Sequence, residues 1–398
     1  MSMKSLLHRA DFRLTRRQMQ LGAGAVGLSL LSVFTFQTVF SDNLITPAGT
    51  PVGGDFAAFW TAANAMAAGE GAAIYYPGVF FDWLHRLAPA QADWRLTWQY
   101  PPAYFFVIAF LAALPYGLGY AVWTGGGIAV LAGAARCNEV RSGALLVMLA
   151  APVVFHAAIT GQTGFLTASL FLGATLQVHK RPMLAGLCAA FLTMKPQLGL
   201  LLPVAYAAGG HWRAFIAAGA GAAVLHGASL AVFGLDAWEA FFDSLRAMDE
   251  YIRDGLTPLY KMPTIYAAAL MAGAPPLAAA SLQGISALSA AAATALVWRR
   301  SEDAALKAAV VCCGAFLAAP YAYYYDFAIM LAPLTLLALN QARKGWRPYD
   351  QLMLVALFLA PLALPGAARQ TGLNVAVFIP LLAFAFVLRR APASTNLT

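Results

Sequence analysis

Residues 183–208 read MLAGLCAAFLTMKPQLGLLLPVAYAA, an apolar run with Lys180 and Arg181 before it, Arg213 after it and Lys195-Pro196 near its middle. A membrane crossing needs about 20 apolar residues, so the run is long enough for one. A single crossing, however, would put basic groups on both sides of the bilayer. Proline removes a backbone donor, and a lysine at depth needs a polar partner. A broken or re-entrant pair of short helices reconciles these features. The stretch predicts an all-α membrane fold whose helices are interrupted where polar residues enter.

The rest of the chain agrees with that reading. Its 398 residues are 61% hydrophobic and 11% charged, against about 25% charged in a soluble domain, so the composition is that of a polytopic membrane protein. Apolar runs place spans near 21–40, 101–135, 143–159, 164–179, 183–208, 214–234, 276–298, 306–320, 322–340, 351–366 and 373–388. The run 101–135 is long for one plain helix and contains Pro115. The expectation is an all-α integral membrane bundle with about 11–13 crossings. It forms a single domain over 21–390, between a basic cytoplasmic tail at 1–20 and a second cytoplasmic tail at 391–398.

The net charge of +8 follows topology. Lys4, Arg9, Arg13, Arg16 and Arg17 lie in the N-terminal tail, and other basic groups fall in short loops at Arg136, Arg141, Arg299, Arg300, Arg343, Lys344, Arg347, Arg389 and Arg390. Acids collect between Asp42 and Asp93 and between Asp236 and Asp254. Short basic loops on one side and acidic loops on the other follow the positive-inside rule, which puts 41–100 and 235–262 outside. Nucleic acid is not an expected partner. Thr15-Arg16-Arg17 superficially resembles an export signal, but Ser32-Val33-Phe34-Thr35-Phe36 offers no small-residue cleavage site, so an uncleaved first helix is expected. Cys137, Cys188, Cys312 and Cys313 lack metal-like spacing and read as core residues.

Both outer segments carry interfacial helices by pattern. Residues 55–68 place Phe56, Phe59, Trp60, Ala63 and Met66 on one apolar side, and 236–253 place Trp238, Phe241, Phe242, Leu245 and Tyr251 among acids. Such elements lie along the membrane and roof a cavity.

Chemistry concentrates at a few polar positions. Asp55, after Gly53-Gly54, reads either as the N-cap of that first helix or as a general base at the membrane surface, and the two roles are compatible. Lys195 stands where a lysine is costly and is by default functional; its ammonium suits a phosphate, with Gln197 nearby to add hydrogen bonds. Gly161-Gln162-Thr163-Gly164 is a polar turn between spans, with His156 shortly before it. Ala319-Pro320-Tyr321-Ala322-Tyr323-Tyr324-Tyr325-Asp326-Phe327 forms an aromatic wall in which the tyrosines also suit helix anchoring, while an unpaired Asp326 would not help insertion. Lys261 and Arg369 fit a phosphate or a lipid headgroup equally. No HExxH, Walker, GxSxG or CxxC motif occurs.

In order and spacing these features resemble family 87 of the GT-C glycosyltransferases. The shared signals run from Gly54-Asp55-Phe56 through Ala68-Gly69, Ile74-Tyr75, Tyr100-Pro101-Pro102, Pro115, Trp123, Gly161-Gln162, Ala185-Gly186 and Lys195-Pro196-Gln197 to Ala319-Pro320-Tyr321. The resemblance implies a GT-C bundle in the plasma (bacterial inner) membrane, with its site facing the periplasm or cell exterior. The implied reaction moves a sugar, with inversion, from a polyprenyl monophosphate carrier to a hydroxyl of a glycolipid or glycan acceptor. Asp55 would be the base and Lys195 the donor-phosphate ligand, with Gln162, Gln197 and Tyr100 lining the cavity. No cofactor or metal is implied. Mycobacterial mannosyltransferases of this family tend to carry Trp and His after the proline near position 320; this chain has Tyr and Asp there, so the sugar stays open between mannose and another hexose or pentose, with Tyr325 and Asp326 in those polar roles. The rival class is a transporter or flippase for a lipid-linked saccharide, in which Lys195 and Asp326 would line a pathway. An inverted repeat would favour it, and the sequence shows none.

Overall fold

The computed structural model describes residues 14–87, 96–254 and 256–391. Lys4, Arg9, Arg13, Asp93 and the tail beyond Ala391 lie outside the described residues. Among the described residues the protein is all-α, with only isolated bridges near Asp42, Ile45 and Pro51.

Four helices are long and apolar enough to cross a membrane: Arg16–Val39, Tyr116–Cys137, Trp212–Arg246 and Pro276–Arg300. At 1.5 Å per residue, each spans the roughly 30 Å hydrocarbon layer. Their outward leucines and valines stay bare, with Leu277 80% and Val224 72% exposed, as a lipid-facing surface requires. Ser142–Leu149 and Pro152–Ile159 together are also long and apolar enough for a crossing, and they bend by 56° at a proline that cannot continue the hydrogen-bond ladder. Shorter apolar helices complete the multi-pass bundle around Ala304–Ala318, a helix buried along nearly its whole length.

Two breaks expected from the sequence take definite form. In the run 101–135, Pro115 caps Tyr116–Cys137, while 102–113 folds into short helical pieces that bury Phe105, Ile108 and Leu111. The run 183–208 splits into Pro182–Leu192 and Pro196–Ala208. The Tyr206 hydroxyl near the end of the second arm donates to Ala174 O (2.8 Å) and Ala185 O (3.1 Å). The second arm thus ends beside the start of the first, so the pair is re-entrant and carries Lys195 in the turn between its arms.

The first outer segment is packed inside the protein as well as helical. Helix Phe56–Ala67 buries Ala57, Ala58, Thr61 and Ala62 as well as its aromatic side, so other parts of the chain enclose it. Amphipathic Pro77–Leu87, with Phe80 and Leu84 inward, covers it from outside. Gly234, at φ 79° and ψ 170°, breaks the long helix that begins at Trp212. That conformation suits glycine alone, and it turns 235–246 so that Phe241 meets Tyr75 at 5.9 Å. Together these pieces form a second apolar cluster, which also takes in Met194 from the re-entrant turn.

Candidate functional site

Asp55 is held by the turn at 160–163. Gly53 (φ 77°) and Gly54 (φ 46°) bring the chain round so that Phe56 N donates to Thr160 O at 3.1 Å. Trp123 Nε1 donates to Gly161 O (2.8 Å) and the Tyr120 hydroxyl to Ala158 O (2.7 Å), fixing the other side. Gly161 has φ 59°, and a Cβ there would lie 2.5 Å from the Phe56 Cβ, so only glycine permits the contact. The expected N-cap role is corrected by this geometry. Asp55 has φ −66° and ψ −11°, already helical, whereas a capping residue is extended, and its carboxylate makes no cap hydrogen bond. Oδ2 instead accepts from Gln162 Nε2 at 2.8 Å. The residue is half-buried.

Gln162 passes the connection onward. Its Oε1 accepts from the Tyr100 hydroxyl at 3.3 Å and from Thr163 N at 3.4 Å. Tyr100 is anchored by Tyr75, whose hydroxyl donates to Tyr100 O at 2.7 Å, and by rings of Phe59, Trp98 and Tyr104 at 5.4, 5.1 and 4.3 Å. Burial, then the charges of Asp326 and Asp55, hold the Tyr100 phenol well above its ordinary pKa, so it stays protonated and donates.

Lys195 and Asp326 form one ion pair, Nζ to Oδ1 2.8 Å, with both side chains buried. The polar partner that a lysine at depth needs is therefore Asp326. Asp326 Oδ2 also accepts from Tyr323 N at 3.2 Å. The ammonium lies 5.3 Å from the Tyr325 ring centre and 5.8 Å from that of Tyr100, within cation–π range. An ammonium has three donors, and Asp326 takes one of them.

The structure thus joins Asp55, Gln162, Tyr100, Lys195, Tyr325 and Asp326 in one connected set. Gln197 is half-buried on the turn after Pro196, and its amide makes no hydrogen bond among the described residues. Lys261 lies on the turn Leu259–Lys261 and forms no ion pair among the described residues. Its neighbour Tyr260 sits under the Arg369 guanidinium at 6.0 Å. Two residues named in the sequence only as parts of longer stretches contribute individually. Tyr323 stacks on Tyr325 at 5.2 Å besides binding Asp326; the spacing of an acid three residues after the turn residue was the available signal. Thr163, buried beside Gln162, carried no signal beyond its place in the turn.

The family model of glycosyltransferase family 87 matches residues 98–320, over half of the chain. The match takes in Tyr100, Gln162, Lys195, Gln197 and Lys261 and stops short of Asp55, Tyr325 and Asp326. No curated protein and no solved structure matches the chain.

Proposed function

The chain belongs to glycosyltransferase family 87, and from that premise we propose that it transfers a sugar from a polyprenyl monophosphate carrier, with inversion, on the extracytoplasmic side. One observation carries the proposal: the Asp55 carboxylate is withdrawn from capping and held by Gln162, which Tyr100 links to the Lys195 pair. A carboxylate fixed by one neutral amide keeps acceptor capacity for an incoming hydroxyl.

In the proposed reaction Asp55 takes the proton of the acceptor hydroxyl as its oxygen bonds to the anomeric carbon. The bond from that carbon to the phosphate oxygen breaks on the opposite face, which inverts the centre. Negative charge grows on the departing phosphate. Lys195, oriented by Asp326 and flanked by Tyr100 and Tyr325, offsets it with its remaining donors. Lys195 supplies the cationic stabilisation, so no divalent metal is called for. Gln197 and Lys261 are proposed to contact the carrier or acceptor at the edges of the site. The basic loops support a cytoplasmic position for the opposite end of the bundle, and a bacterial inner membrane is the proposed location.

Purified protein with synthetic polyprenyl-phosphate sugars and a membrane extract as acceptor source tests the proposal. Free polyprenyl phosphate and a glycosylated product are expected to appear together. Binding of the lipid-linked sugar without release of free polyprenyl phosphate, across the donors tried, would overturn it.

A further inference from the structure

A second polar centre lies at the other end of the bundle. Helices Ala304–Ala318 and Ala328–Lys344 both connect it to the Asp326 segment. At 1.5 Å per residue these helices separate the two centres by about 22–26 Å. Between Asp303, where the first helix starts, and Lys344, where the second ends, is a cavity of about 550 Å³ walled also by Trp346, Arg347 and Arg390.

Its charges do not cancel. Asp303 is committed as an N-cap, Oδ1 accepting from Ala305 N (3.0 Å) and Leu306 N (3.2 Å), with Asn340 also bound. Lys344 approaches it only to 3.9 Å. Behind the wall, fully buried Asp350 is shared by Arg390, Arg389 (3.6 Å) and the backbone N of Arg347 (3.0 Å). The guanidinium of Arg347 has no carboxylate partner among the described residues. The Arg390 side chain is 4% exposed, with its Cζ 3.5 Å from the centre of the Phe386 ring. A walled cavity lined by Lys344, Arg347 and Arg390 against the single committed carboxylate of Asp303 suits an anion.

The cavity opens among the basic loops of the bundle, near Arg299, Arg300 and Arg343, where anionic headgroups gather. Leu306, Leu337 and Trp346 add apolar wall, which suits an amphiphile better than a free ion. We propose that this cavity binds the phosphate headgroup of an anionic phospholipid, with Arg347 and Lys344 on the phosphodiester oxygens. The site is independent of the transfer chemistry.

The test uses full-length protein in mild detergent, with phosphatidylglycerol or phosphatidylcholine added and retained lipid read by native mass spectrometry. Wild type is expected to retain one phosphatidylglycerol in preference to phosphatidylcholine. The exposed pair Lys344→Gln with Arg347→Gln should weaken retention about tenfold to thirtyfold, while Arg136→Gln with Arg213→Gln, charges away from the cavity, should not. Equal loss in both double variants would make the effect general surface charge and overturn the site. So would unchanged retention in the cavity variant, or no preference for the anionic lipid. Displacement by millimolar inorganic phosphate would assign the cavity to soluble anions and overturn the lipid.

Discussion

The loop at 53–55 and the segment at 323–326 each bring a carboxylate to the same end of the molecule, and the surroundings treat them in opposite ways. Asp326 is buried, ion-paired to Lys195 and held by the Tyr323 amide. Asp55 is half-buried and held by one neutral side-chain amide. A carboxylate whose oxygens are both engaged in low dielectric is committed to holding structure, whereas one with open acceptor capacity can take a proton. On this contrast Asp326 is expected to position Lys195, and Asp55 to serve as the base of the proposed reaction.

The largest expected effect comes from Asp55→Asn. The amide keeps the shape and removes the base, so turnover should fall by about a hundredfold to ten-thousandfold. Thermal unfolding should move little, because Asp55 neither caps a helix nor closes an ion pair. Turnover within a few-fold of wild type would break the comparison at its centre.

The Lys195–Asp326 pair should behave conversely, with stability and activity failing together. Lys195→Met leaves Asp326 buried without its counter-charge, which costs about 3–5 kcal/mol. Adding Asp326→Leu removes that uncompensated charge and should restore much of the unfolding temperature, with activity still lost. If the double variant recovered transfer, Lys195 would be structural only. A double-mutant cycle read by both unfolding and donor binding separates the two roles.

Much of this arrangement was legible along the chain, and the illegible part has a common cause. The break at Lys195-Pro196 announces itself, since proline and lysine both conflict with an apolar helix. Asp55 after two glycines was visible as a special position, but its local pattern pointed to a cap. Its actual partner, Gln162, lies 107 residues away, and Lys195 and Asp326 are 131 apart. Such pairings depend on how the re-entrant arms and the enclosed helix Phe56–Ala67 come together, which no local spacing encodes. Gly234 is similar: the apolar run continues toward it, and only the positive φ reveals where the helix turns.

Gln162→Leu sharpens the distinction between the two acids. It removes the amide that orients Asp55 without touching the Lys195 pair. A hydrogen bond to a charged group contributes about 1.5–3 kcal/mol, so turnover should fall by about tenfold to a hundredfold. Gln162→Glu sets a second charge against Asp55 and should lower turnover further, raising the pH at which activity appears. A pH profile unchanged in both variants would mean that Gln162 only packs.

The smallest effect is expected at Lys261, which makes no ion pair among the described residues and is absent from the Asp55–Lys195 connections. A lysine near a charged lipid surface contributes about 1 kcal/mol, so Lys261→Gln should raise the KM for the lipid-linked donor by no more than about fivefold and leave kcat unchanged. The reason lies in the same contrast: Lys195 is fixed by a carboxylate and two rings, whereas Lys261 has nothing to hold it at one phosphate. A fall in kcat of a hundredfold would show that Lys261 acts on the reacting groups. Lys195 would then be one of two cations at the leaving phosphate.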